Sequence, residues 1–77
     1  MRRRWWIKER RLYRDGAEEI VAGPRFWTYG AALRKIEKWE QSKQFDIEYM
    51  YTVEPVYKDS PEPGRVIMHD TGPGGGA

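Results

Sequence analysis

Residues 5–22 read WWIKERRLYRDGAEEIVA, and the Asp15-Gly16 pair inside them decides how the chain begins to fold. Residues 5–14 are rich in aromatic and long side chains, and residues 18–22 resume with β-branched Ile20 and Val21. An Asp-Gly pair readily adopts positive φ, so the stretch is predicted to be a β-hairpin with a two-residue turn. Gly23-Pro24 comes next, and because proline lacks an amide hydrogen and biases the residue before it away from helix, the pair is expected to end the second strand. The first strand carries apolar groups on both faces. Trp5, Ile7 and Tyr13 point one way, Trp6 and Leu12 the other. One face must meet a helix, so the other is expected to expose Trp6 as a contact residue.

Working outward, Thr28 stands at a helix N-cap, and Ala32, Leu33, Ile36 and Trp39 recur at the spacing of one helical face, which predicts a helix over 29–42. From Phe45 the period changes to two. Phe45, Ile47, Tyr49, Tyr51 and Val53 alternate with Asp46, Glu48, Met50, Thr52 and Glu54, the pattern of a half-buried strand. After Tyr57 the chain is dominated by Pro61, Pro63, Pro73 and closing glycines, with only Val66-Ile67-Met68 able to pack, so residues 58–77 are expected to form a flexible, largely disordered tail; a fourth short strand at 65–68 is the alternative.

These elements define an α+β class: a mostly antiparallel three-stranded sheet in β-β-α-β order, one helix on one face, and the first strand between the other two. The domain is expected over 5–57, preceded by a basic arm at 1–4. In that arrangement Asp46, Glu48 and Glu54 lie beside Lys8, Arg10 and Arg14, and opposite charges across strands are mildly stabilising. The third strand lies at an edge with no proline or lysine between Phe45 and Glu54 to blunt pairing. Self-association as a two-fold dimer is therefore expected, through that edge or through the Trp6 face. A tail folded back over the edge would instead leave a monomer.

Composition narrows the function. A chain of 77 residues makes one small core, and without a single cysteine it has neither disulfide staple nor thiolate chemistry; four tryptophans, five tyrosines and two phenylalanines are the substitute. No apolar run reaches the length of a membrane span and none follows the basic start as a signal sequence would, so a cytoplasmic location is expected. Net charge is only +2, yet residues 1–14 hold seven basic groups and one acid, whereas residues 45–77 hold six acids and two bases. His69-Asp70 is too small a set for a metal or an acid-base centre, and the glycines after Gly72 precede no helix or lysine that would make a phosphate cradle. Glu18-Glu19 and Glu37 with Glu40 read as solvated faces. No catalytic residue, metal ligand or cofactor is expected.

Three resemblances touch about half the chain. Residues 5–39, WWIKERRLYRDGAEEIVAGPRFWTYGAALRKIEKW, resemble small proteins of actinobacteria and their phages in which a tryptophan-led hairpin runs through a Gly-Pro motif into a helix and a tyrosine-rich strand; the likeness implies a fold and no activity. Phe26-Trp27-Thr28 and Ala32 are similar to the start of the helix in arm-type DNA-binding domains of phage integrases, although Glu18 and Glu19 fall where that family places basic sheet residues and an acidic strand follows the helix. The Gly-Pro-to-helix segment is also similar to half of a peptidoglycan-binding SPOR repeat.

The leading expectation is a non-enzymatic protein-binding module, of a kind a phage would encode to act on a host protein, with Trp6, Leu12, Val21 and Met50 as contact residues. The alternative is a nucleic-acid binder in which Arg2, Arg3, Arg4, Lys8 and Arg10 meet phosphates while Trp5 or Trp6 stacks on a base. The acidic second half favours the protein partner. A membrane surface ranks third, because nothing after RRRWW extends an amphipathic helix.

Overall fold

In the computed structural model, which describes residues 4–42 and 46–71, β1 (Trp5–Tyr13) and β2 (Glu18–Phe26) form the expected hairpin. The connecting loop has three residues rather than two. The Tyr13 N–H donates to the Ala17 carbonyl at 2.9 Å and the Gly16 N–H to the Tyr13 carbonyl at 3.0 Å, with Gly16 left-handed at a φ of 88° and Asp15 Oδ1 accepting the Ala17 N–H at 2.9 Å. A tight turn followed by a left-handed glycine is a favoured hairpin closure.

Gly23-Pro24 does not end β2. Trp6 faces Arg25 and Lys8 faces Ala22, so the single residue Ile7 opposes both Gly23 and Pro24 in a β-bulge, where a missing N–H breaks no ladder bond. The glycine is required by contact: a Cβ there would stand 2.7 Å from the Ile7 carbonyl oxygen. Ile7 itself is fully buried.

Thr28 caps α1 (Tyr29–Glu40), its Oγ1 accepting the Ala31 N–H at 3.1 Å. The helix lies over the face of β1 that carries Trp5, Ile7, Glu9, Arg11 and Tyr13. Tyr29 meets Trp5 edge-on at 5.1 Å between ring centres, and Trp39 meets Tyr51 at 5.5 Å. Contact runs through fully buried Ala32, whose small side chain lets the helix approach closely and leaves Leu33, expected on the buried face, 45% exposed. β3 (Ile47–Pro55) then pairs antiparallel with β1 in unbroken register, from Trp5 opposite Pro55 to Tyr13 opposite Ile47. β1 is central, as expected.

The sheet has four strands, not three. β4 (Val66–Asp70) pairs antiparallel with β2, Glu18 opposite Asp70 and Ile20 opposite Met68, giving the order β3-β1-β2-β4. Much of the segment expected to be disordered is therefore structure. Two turns shape it: the Ser60 N–H donates to the Tyr57 carbonyl at 3.1 Å, and the Arg65 N–H to the Glu62 carbonyl at 3.1 Å around Pro63-Gly64, with Gly64 at a φ of 86°. Proline then glycine of positive φ is the signature of a type II turn.

Between β3 and β4, residues 56–65 form a strap that crosses the face opposite the helix. The Gly64 N–H donates to the Ala22 carbonyl at 2.7 Å, the Ala22 N–H to the Arg65 carbonyl at 2.9 Å, and Arg25 Nη2 to the carbonyls of Ser60 and Pro61 at 3.3 and 2.9 Å. Trp6, beside Arg25 in the register, is only 5% exposed, and its indole N–H donates to the Pro55 carbonyl at 3.2 Å. The expectation that this face displays a tryptophan is thus overturned. A segment distant in sequence covers it.

Candidate interaction surface

The basic residues of β1 are tied to carboxylates within the chain. Lys8 Nζ lies 2.8 Å from Glu54, Arg10 forms a two-pronged pair with Glu18 at 2.7 and 3.0 Å, and Arg14 in the hairpin loop reaches Asp46 at 2.7 Å. Pairing across β1 and β3 was expected for Lys8 and Arg14. Arg10 instead takes the neighbour on β2, because Glu18 sits diagonally across the hairpin on the same face. The hydrogen bond and charge of Glu18 hold the Arg10 guanidinium above its ordinary pKa. Of the other basic candidates, Arg4 is exposed, and Arg2 and Arg3 lie outside the described residues.

On the helix side, Arg11 bridges Glu9 at 2.6 Å and Glu19 at 3.2 Å, while the Tyr13 hydroxyl donates to Glu19 at 3.3 Å. Burial pulls the Arg11 pKa down, but hydrogen bonds and charge from Tyr13 and Glu9 outweigh it and the net shift is upward. This network lines a polar hollow of about 170 Å³ beneath the end of α1, together with Trp39, Ser42, Tyr49 and Tyr51. Two carboxylates there share one guanidinium, so the network carries a net negative charge. The alternating pattern of β1 placed Glu9 and Arg11 on this face, yet nothing local in the sequence marked them as a pair.

Tyr51 in that hollow is pushed up to about 12, first by burial, then by the Glu9 carboxylate, with Tyr49 and Glu40 adding and Arg11 opposing. Because the folded state holds this proton more tightly than the ordinary value of 10.0 allows, the associated stability is complete below pH 10.0 and is lost as pH rises through about 12. An alkaline titration followed by phenolate absorbance should show one tyrosine lagging the others, and Tyr51→Phe should flatten the fall in stability over that window. A single transition for all tyrosines near their ordinary value would contradict it.

The four expected protein-contact residues do not form one patch. Trp6 is buried, Leu12 is half-buried on the outer face, Met50 on that same face is 40% exposed, and Val21, half-buried, falls on the helix side opposite Glu9. Trp5, offered as a base-stacking residue, is half-buried against Tyr29. Apolar side chains are exposed at the start of the helix, and also at Tyr57 in the strap and at Val66 and Ile67 in β4. Trp27 and Tyr29 are each 47% exposed and Leu33 45%; Tyr29 and Leu33 are one helical turn apart and share a face. Sequence reading passed over these three because helical period assigned Leu33 to the core.

His69 lies in β4 opposite Glu19, and an open groove of about 570 Å³ brings it to the hairpin end near Asp15 and Asp46. Among the described residues no group of three or more His, Asp or Glu side chains is arranged to hold a metal ion. No helix among them is long and apolar enough to cross a membrane. No family model, curated protein or solved structure matches this chain.

Proposed function

We propose that the chain is a non-enzymatic protein-binding module whose contact surface is the exposed apolar group at the start of α1, Trp27, Tyr29 and Leu33. The observation that carries this reading is the contrast between the two candidate surfaces. On β1, Lys8, Arg10 and Arg11 each stand within ion-pair distance of a carboxylate. A phosphate competing for them would have to displace a bonded carboxylate, and the acids left behind would repel it. Tryptophan and tyrosine, half out of water here at Trp27 and Tyr29 beside Leu33, are by contrast among the residue types that anchor protein contacts.

Nucleic-acid binding measured by fluorescence anisotropy on short single-stranded and duplex oligonucleotides tests the reading. Affinity should be weak, indifferent to sequence and abolished between low and physiological salt, as a few arginines near the N-terminus would give. Sequence-selective binding that persists at physiological salt and falls on Lys8→Ala or Arg10→Ala would reverse the assignment.

A further inference from the structure

β3 is the edge of the sheet beside β1, and among the described residues no strand pairs with its other side. The C-terminal segment that could have covered this edge is used on the opposite one, as β4 beside β2. The direction of the backbone groups of β3 follows from the ladder. Tyr13 bonds Ala17 across the hairpin, so the odd-numbered residues of β1 bond β2 through residue 9, and the even-numbered ones bond β3; the Val56 N–H donating to the Arg4 carbonyl at 2.8 Å agrees. On β3, therefore, Met50 and Thr52 bond inward to Arg10 and Lys8, while Ile47, Tyr49, Tyr51 and Val53 turn their N–H and C=O groups to the free edge. All four are non-proline residues. The register between β1 and β3 has no bulge, unlike the other two pairings of the sheet.

The sequence along this edge, Ile47-Glu48-Tyr49-Met50-Tyr51-Thr52-Val53, reads the same by residue type in both directions about Met50, save that Glu48 answers Thr52. About a two-fold axis at Met50 each residue meets the one at the mirrored position on an identical strand, so this pattern sets like-sized side chains opposite one another. We infer that β3 pairs antiparallel with β3 of a second copy of this chain about a two-fold axis at Met50, joining two four-stranded sheets into one. Tyr49 then faces the partner's Tyr51, Ile47 the partner's Val53, and Met50 the partner's Met50, with about eight backbone hydrogen bonds between copies by the alternation of the antiparallel ladder.

The extent of backbone pairing selects this register. Shifting the axis to Tyr51 sets Glu48 against the partner's Glu54 at both ends and Ile47 against Pro55, which has no N–H to give. Shifting it to Tyr49 leaves Val53 outside the central pairs. With the axis at Met50 the central seven positions contain no opposed like charges; just outside them Asp46 faces the partner's Glu54, and each of these acids brings its own cation, Arg14 and Lys8. Tyr49 and Tyr51 already lie parallel at 6.2 Å on one strand, so the joined sheet sets four tyrosines in a two-by-two block on its helix face.

Sedimentation equilibrium on the full chain tests the inference, which is independent of the helix-start surface proposed above. At a protein concentration of about 100 µM the wild type should sediment as a dimer, and Met50→Lys and Met50→Glu should each weaken association by at least about tenfold, because the axis brings the two introduced charges face to face. An equimolar mixture of the two variants should restore the dimer as a heterodimer. Leu33→Ser should leave the mass unchanged. Circular dichroism confirms that both charge variants are folded, as expected for a side chain already 40% exposed. A monomeric wild type, undiminished association of the folded charge variants, failure of the mixture to restore it, or loss of the dimer in Leu33→Ser would each overturn the proposal.

Discussion

A chain cut after Lys58 is expected to lose cooperative folding. The cut removes residues 59–65 of the strap together with β4, and with them the backbone bonds that β4 and Arg65 make to β2, the carbonyls that hold Arg25, and most of the cover over Trp6 and Ala22. Baring a buried tryptophan and its neighbours forfeits about 3–5 kcal/mol by analogy with large-to-small core substitutions. A domain of 77 residues holds roughly 4–11 kcal/mol in all. Thermal melting followed by far-ultraviolet circular dichroism should show no sigmoidal transition, or one displaced downward by tens of degrees. An unchanged melt would mean that β4 and the strap contribute nothing, as the disordered tail expected from composition would have it.

Trp6→Ala is expected to have the second largest effect, and on stability before any effect on binding. Its side chain is 5% exposed, is covered by the strap, and donates to the Pro55 carbonyl at 3.2 Å. Truncation to alanine should cost about 3–5 kcal/mol, enough to leave much of the protein unfolded at body temperature. Trp6→Phe should recover most of that loss, since the ring restores the packing and forfeits only the hydrogen bond, worth about 1 kcal/mol. Denaturant unfolding monitored at both variants checks the order. A fully stable Trp6→Ala protein would return this residue to the surface.

What could be read from the residues followed how local each determinant is. The hairpin, the Thr28-capped helix and β3 announce themselves within a dozen residues, through Asp15-Gly16, the recurrence of Ala32, Ile36 and Trp39, and the alternation from Ile47 to Val53. Non-local features were not legible. Gly23-Pro24 looks like a terminator unless one knows that Ile7 stands opposite, and Pro63-Gly64 looks like disorder unless the turn has a strand to deliver. β4 is short, and its Val66-Ile67-Met68 gains meaning only from the β2 edge it meets. Trp6 shows the same limit: alternation placed it on the face away from the helix, but could not show that residues 56–65 return to cover that face.

The candidate site was legible in part for the same reason. Cross-strand neutralisation of Lys8 by Glu54 and Arg14 by Asp46 follows once β1 is central, whereas the choice of Arg10 for Glu18 depends on the hairpin register. The exposed helix start escaped detection because helical period tells which residues share a stripe, and says little about which edge of the stripe the sheet is wide enough to cover.

Photo-crosslinking in the source cell tests most directly whether the protein acts through its helix start and not through its basic strand. A benzophenone side chain placed at Leu33 in one version and at Arg10 in another compares two positions of similar exposure, 45% for the residue Leu33 and 42% for the side chain of Arg10. The Leu33 version is expected to yield a discrete adduct that protease destroys and nuclease leaves intact, with no matching adduct from position 10. A nuclease-sensitive adduct from position 10, with none from position 33, would contradict the protein-binding reading.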